Sequence, residues 1–146
     1  MSQKPSVTFS HIGVCVSDME RSKRFYTEAL GFKIDHVVDA GAPFHLMSEV
    51  PELKLHATFM TLGAVMIELL YHEIPRAVGP AERRPMNQLG LTHLSIVIDD
   101  IATVSDLIER YGGHALSQTR VKTPVGDMMF CTDPDGVRIE LWQKVS

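Results

Sequence analysis

The chain has 146 residues, a formal net charge of −4 and 45% hydrophobic side chains, enough for one compact domain that buries about two thirds of its unfolded surface without crosslinks. The acidic balance and the shortness of the basic clusters, Arg83-Arg84 and Arg120 with Lys122, exclude an electrostatic nucleic-acid surface, and no run approaches the roughly eighteen apolar residues of a membrane span. Cys15 and Cys131 fall in apolar runs without metal-type spacing, so both read as reduced core thiols of a cytoplasmic protein.

The N-terminal residues M-S-Q-K-P-S-V-T lack the apolar stretch of a signal peptide. The first patterned segment is F-S-H-I-G-V-C-V-S-D, Phe9 to Asp18, a strand of apolar residues interrupted by His11. Helical periodicity follows: Met19, Phe25, Tyr26, Ala29 and Leu30 share one face, Ser17 and Glu20 have capping-box spacing, and Gly31 ends the run. Three strands are expected next, about Phe32 to Val38, Leu55 to Leu62 and Ala64 to Tyr71, the last two joined by a tight turn at Gly63. From His72 to Gly90 the chain has three prolines, two glycines and no periodicity, which marks a linker or lid. The next segment, L-T-H-L-S-I-V-I-D-D, Leu91 to Asp100, is a strand interrupted by His93. Asp99 or Asp100 then caps a helix with the stripe Ile101, Val104, Leu107, Ile108 and Tyr111, and Gly112-Gly113 stops it. Three closing strands are expected, about His114 to Val121, Asp127 to Thr132 and Val137 to Gln143, the last two flanking the turn D-P-D-G at Asp133 to Gly136.

Both halves therefore spell strand, helix, strand, strand, strand. A shift of 82 positions lays His11 on His93, Val14 on Ile96, Asp18 on Asp100 and Gly31 on Gly113 without a gap. The later phrases V-M-I-E-L-L and V-R-I-E-L-W match at 72 positions, because the segment from Asp39 to Glu52 is a loop insertion in the first half. The expected organisation is one domain over residues 8–146, with module one at 8–71, a linker at 72–90 and module two at 91–143.

Strand alternation assigns faces. Ile12, Val14 and Val16 belong to the side that packs under a helix, and His11, Gly13 and Cys15 to the other; Leu94, Ile96 and Ile98 oppose His93, Ser95 and Val97 in the same way. In the closing strands Glu68 and Glu140 share the faces turned away from the helices. A carboxylate inside an apolar strand is costly unless it is paired or binds a metal, and here the cost recurs at equivalent places. Two neutral imidazoles and two carboxylates suit a divalent transition ion, so His11, Glu68, His93 and Glu140 are the candidate metal ligands.

Paired β-α-β-β-β modules with these four residues, together with the phrases R-F-Y-T-E-A-L-G-F and D-P-D-G-V-R-I-E-L, resemble the vicinal oxygen chelate superfamily of glyoxalases, extradiol dioxygenases and bleomycin-resistance proteins. The resemblance covers about Phe9 to Gln143. It implies an α+β fold of two tandem βαβββ modules whose curved mixed sheets surround a metal-binding cleft. It also implies a divalent ion (zinc, nickel, cobalt, manganese or iron), a small oxygen-rich substrate, and lyase or isomerase chemistry through a metal-stabilised enolate or enediolate. On this resemblance His11, Glu68, His93 and Glu140 hold the metal, and Glu140 or Glu68 is the catalytic base. The alternatives it leaves are an extradiol-type dioxygenase using ferrous iron and a non-enzymatic small-molecule binder. A homodimer is expected, with the ligands drawn from one chain or shared between two.

Other residues have plainer readings beside functional ones. His45 and His56 near the insertion read as solvated, and Arg83 and Arg84 as a surface pair or a clamp for an anionic tail. Tyr71, Met66, Met60, Phe130, Met128 and Trp142 are either pocket lining or ordinary strand packing.

Overall fold

A computed structural model describes residues 4–145. Strand β1 (Ile12–Val16) leads into helix α1 (Met19–Arg24), which continues as a π-helical turn over Phe25–Ala29. After β2 (Lys33–Ala40) the expected insertion contains a short helix, α2 (Phe44–Ser48), followed by β3 (Lys54–Leu62) and β4 (Val65–Ile74). The second half runs β5 (Leu94–Ile98), α3 (Ile101–Arg110), β6 (His114–Ala115), a 3-10 turn at Ser117–Thr119, β7 (Val121–Thr123), β8 (Gly126–Thr132) and β9 (Arg138–Lys144). The single strand expected over His114 to Val121 is thus broken by the 3-10 turn, and β4 extends three residues past Tyr71.

The strands form two mixed sheets. One has the order β1-β4-β3-β2 and the other β5-β9-β8-β6, with β7 also paired to β8. In each, the first strand lies parallel to the last and the remaining pairings are antiparallel. A parallel neighbour so far along the chain needs a crossover, which the helix supplies.

Helices α1 and α3 are capped by aspartate. Asp18 accepts from the Arg21 amide at 3.0 Å, and Asp100 accepts from the Thr103 amide at 2.8 Å and its hydroxyl at 2.6 Å, contacts of a kind worth about 1 kcal/mol each. Ser17, expected at the first cap, instead donates its hydroxyl to Asp135 in the second half.

One apolar core spans both halves. Val14, Val16, Ile67 and Leu69 from the first sheet meet Phe25 and Tyr26 from the π turn, Ile101 and Ile108 from α3, and Cys131, Ile139 and Leu141 from the second sheet. Gly113 is required at this junction, because a Cβ there would stand 2.3 Å from the Thr132 carbonyl oxygen and 2.6 Å from Phe25 Cε2. A buried polar contact ties the halves as well. Tyr26 donates to Asp133 Oδ2 at 2.9 Å, while Asp133 Oδ1 accepts from the amides of Asp135 (2.9 Å) and Val137 (2.8 Å) and so fixes the turn that launches β9. Burial raises the Asp133 carboxyl above the ordinary range despite these bonds, and raises the Tyr26 phenol well above its own.

The helix-side faces of both sheets are consumed by this core. Their other faces are open: Gly13 and Cys15 on β1, and Ser95 and Val97 on β5, are exposed, as is nearly all of β2. Cys131 is buried as expected, but Cys15 is not, since it lies on an open face. Among the described residues no helix is long and apolar enough to cross a membrane.

Candidate metal half-sites

Each open face carries one of the candidate His and Glu pairs, built in parallel ways. His11 immediately precedes β1, and the register of β1 with β4 sets Gly13 opposite Glu68. His11 Nε2 lies 3.1 Å from Glu68 Oε2, with the two side chains 34% and 18% exposed. On the other side of the imidazole, Nδ1 lies 2.8 Å from the Ser10 hydroxyl oxygen. Phe59, opposite Glu68 in the β3–β4 register, places the edge of one ring against the face of the other at 5.1 Å from His11.

The second half repeats this construction. His93 immediately precedes β5, its Nδ1 lies 2.9 Å from the Thr92 hydroxyl, and Phe130 stands near-perpendicular to it at 5.3 Å. Phe130 is opposite Glu140 in register, just as Phe59 is opposite Glu68. In both halves a hydroxyl next in sequence can accept from Nδ1, which leaves the Nε2 lone pair for a metal.

One position differs. Ser95 occupies the place of Gly13 and donates its hydroxyl to Glu140 Oε1 at 2.6 Å. With no hydroxyl available from Gly13, Glu68 turns to His11 instead.

Within one chain only the first pair is in contact: His11 and Glu68 approach to 3.1 Å, no ion pair joins His93 to Glu140, and among the described residues no three His, Cys, Asp or Glu side chains lie close enough to hold a metal ion. Two further residues neighbour the half-sites: Arg138, which alternation places on the same strand face as Glu140, and His36, which alternation does not place. His36 stacks on Phe59 at 4.2 Å and bonds Asp35 at 2.6 Å. A bulge between Ile34 and His36 shifts the phase of β2, so simple alternation misplaces it. Arg138, two residues before Glu140, holds its guanidinium carbon 5.0 Å over the Phe130 ring.

Three other candidates, Met60, His56 and Arg84, have structural roles. Met60 is fully buried in the core. His56 bridges Asp39 and Glu73 at 2.6 Å on each side, and its bonds to Glu73 and then Asp39 raise its pKa above the usual imidazole value. Arg84 donates to the carbonyls of Leu89 (2.7 Å) and Leu91 (3.5 Å), bracing the linker rather than facing solvent freely.

Residues 8–141 match the family described as the Glyoxalase/Bleomycin resistance protein/Dioxygenase superfamily. This chain belongs to that superfamily. The superfamily chain is 31% identical over 139 residues to a protein named lactoylglutathione lyase from Salmonella typhimurium, covering 90% of this chain and 88% of that one. It is 29% identical over 139 residues to a probable chloroplastic lactoylglutathione lyase of Arabidopsis thaliana, spanning 92% of this chain but 35% of that longer protein. Among solved structures, a glyoxalase family protein from Bacillus cereus superposes with a TM-score of 0.87 over 100% of this chain and 99% of its own, at 13% identity, a likeness of fold.

Proposed function

We propose that this superfamily member is a metal-dependent lyase or isomerase for a small oxygen-rich substrate, and that it works as a homodimer. In this reading the His11 and Glu68 pair of one copy faces the His93 and Glu140 pair of another. The observation that supports it is the repeated arrangement of a His and a Glu on each of two exposed faces, each face offering two of the four donors an ion needs. The donor set fits a divalent ion. Two ligand atoms each about 2.1 Å from one ion and at right angles lie about 3 Å apart, and His11 Nε2 and Glu68 Oε2 are separated by 3.1 Å.

A bound zinc, nickel, cobalt, manganese or iron ion would polarise a substrate carbonyl and acidify the neighbouring carbon. The chain's own groups do the rest. Glu140, or Glu68 in its place, accepts the proton from that carbon at a carboxylate oxygen and returns it to the adjacent atom. Ser95 steadies Glu140 through Oε1 and leaves Oε2 for this work. Phe59 and Phe130 flank the imidazoles and limit the water that reaches them.

The relatives' names make lactoylglutathione the first substrate to assay. Two variants test the shared site: one carries His11→Ala with Glu68→Gln, the other His93→Ala with Glu140→Gln. Each alone is expected to lose metal and turnover. Mixed and re-equilibrated, they form hybrid dimers with one intact site and one empty of ligands, restoring up to half a metal per chain in the hybrids, with matching activity. Failure of the mixture to recover metal overturns the shared site. Ferrous iron with dioxygen uptake on a catechol would favour the ring-cleaving alternative, and wild-type protein that takes up no metal would favour a binder.

A further inference from the structure

A pocket of about 340 Å³ lies between β1, the start of β5, the linker and the turn into β9. Its volume is at the lower end of the range for small-molecule sites, about 300–1,000 Å³. Much of its lining is apolar, including Ile12, Val14, Leu94 and Val137, but His93 and Arg138 also line it. Arg138 is unlike the paired arginines nearby. Arg21 and Arg120 are matched by Asp135 and Asp127, whereas no carboxylate pairs with Arg138 among the described residues.

The Arg138 guanidinium is held but not satisfied. Nη2 donates to the Arg84 carbonyl at 3.0 Å, the plane lies over Phe130, and Nε is buried with no hydrogen-bond partner. Leaving a buried donor unmade is costly, and a charged one more so. Of the acidic residues in the pocket, Asp135 is engaged by Ser17 and Arg21, and Glu82 approaches from the linker without an ion pair to Arg138. An incoming oxyanion would supply the counter-charge that no carboxylate of the described residues gives, and the rigid planar fork of arginine suits one.

We propose that Arg138 anchors an oxyanion, a carboxylate or a phosphate, on the substrate, and so directs the substrate's uncharged oxygen end toward His93. This rests on the reading of the open faces as a site for small oxygen-rich molecules and names the class: anionic carbonyl compounds. Arg138 acts in it as a binding residue that sets specificity, with Phe130 fixing the guanidinium plane on one side and the Arg84 carbonyl holding its end. Pro80, Arg84 and Leu91 of the linker region also line the pocket.

The test uses metal-stripped full-length protein and calorimetric titration at pH 7 with three probes: benzoylformate, its neutral methyl ester, and phenyl phosphate. At least one anion is expected to bind tenfold or more tighter than the ester. Arg138→Gln should erase that preference, while Arg120→Gln, at a surface pair, should leave it unchanged. If Arg138→Gln does not fold, Arg138→Lys carries the test, since it keeps the charge, loses the fork and should weaken anion binding severalfold. Preference for benzoylformate identifies a carboxylate, and preference for phenyl phosphate identifies a phosphorylated compound. Equal affinity for ester and anions, a preference that survives Arg138→Gln, or, where that variant does not fold, anion affinity unchanged by Arg138→Lys, overturns the proposal. Because neither metal nor turnover enters the measurement, failure of the metalloenzyme reading leaves this result standing, and the reverse also holds.

Discussion

Replacing Tyr26 by Phe removes one oxygen from the fully buried seam between the halves, so its effect can be worked out in advance. The ring stays in the core, with its near-perpendicular contacts to Phe25 at 5.2 Å and Phe32 at 5.6 Å, so little packing is lost. What is lost is the bond to Asp133 Oδ2, which leaves that oxygen buried while Oδ1 keeps its two amides. Stranding one oxygen of a buried carboxylate costs about 1–3 kcal/mol, the upper part of that range applying while the group is charged. For a chain of this size that corresponds to a fall in Tm of roughly 2–10 °C. The sign of the pH dependence follows from Asp133, whose folded pKa lies above its ordinary value because burial disfavours the anion. Tyr26 stabilises the anionic form, so the difference between variant and wild type is largest above that raised pKa and narrows as pH falls through it. Urea unfolding from pH 4 to pH 7 measures it. A Tyr26→Phe difference below about 0.5 kcal/mol at pH 7, or one that grows on acidification, would refute the reasoning.

Three further outcomes are expected. Gly113→Ala forces a methyl against the Thr132 carbonyl and Phe25, and should cost about 1–3 kcal/mol or more by the same urea measurement. Ser95→Ala frees Glu140 Oε1 and should weaken metal binding about 10- to 100-fold in a chelator competition, with little change in Tm. His56 has a raised pKa and Glu73, through its bonds to His56 and then Lys54, a lowered one. Their mutual support is therefore complete above the unfolded Glu pKa and below the unfolded His pKa, and fades as pH rises through the folded His56 pKa or falls through that of Glu73. His56→Ala should lower Tm near pH 5.5 and have less effect at pH 8.5, a contrast that disappears if the bridges carry no stability.

The fold was legible because the same instructions are written twice. A repeat offset of 82 positions and a second of 72 place the two His and Glu pairs at matching points, and the register observed, Gly13 with Glu68 and Ser95 with Glu140, keeps each Glu on the same strand face as its His. The first cap and the 114–121 region were less legible. Ser17 satisfied the capping-box spacing but found a stronger partner in Asp135, more than a hundred residues away, and local spacing carries no information about such a contact. His36 was hidden by the bulge in β2, which breaks the period of two on which face assignment depends. Alternation told which side of each strand is apolar, but not that the helix sides of both sheets would join in one core and leave both candidate half-sites outward. That arrangement depends on packing between halves, through Phe25, Gly113 and the Tyr26–Asp133 bond, rather than on any segment's own pattern.

The shared core also bears on what the linker is for. Val14 and Leu69 reach Ile139 and Leu141 through side chains of π turn and helix, so neither half owns a complete interior. A break in the exposed segment around Val78 would sever the polypeptide yet leave the fragments clasped, each serving as template for the other. Covalent continuity in that segment is thus a matter of stoichiometry and assembly speed, whereas architecture resides in the seam.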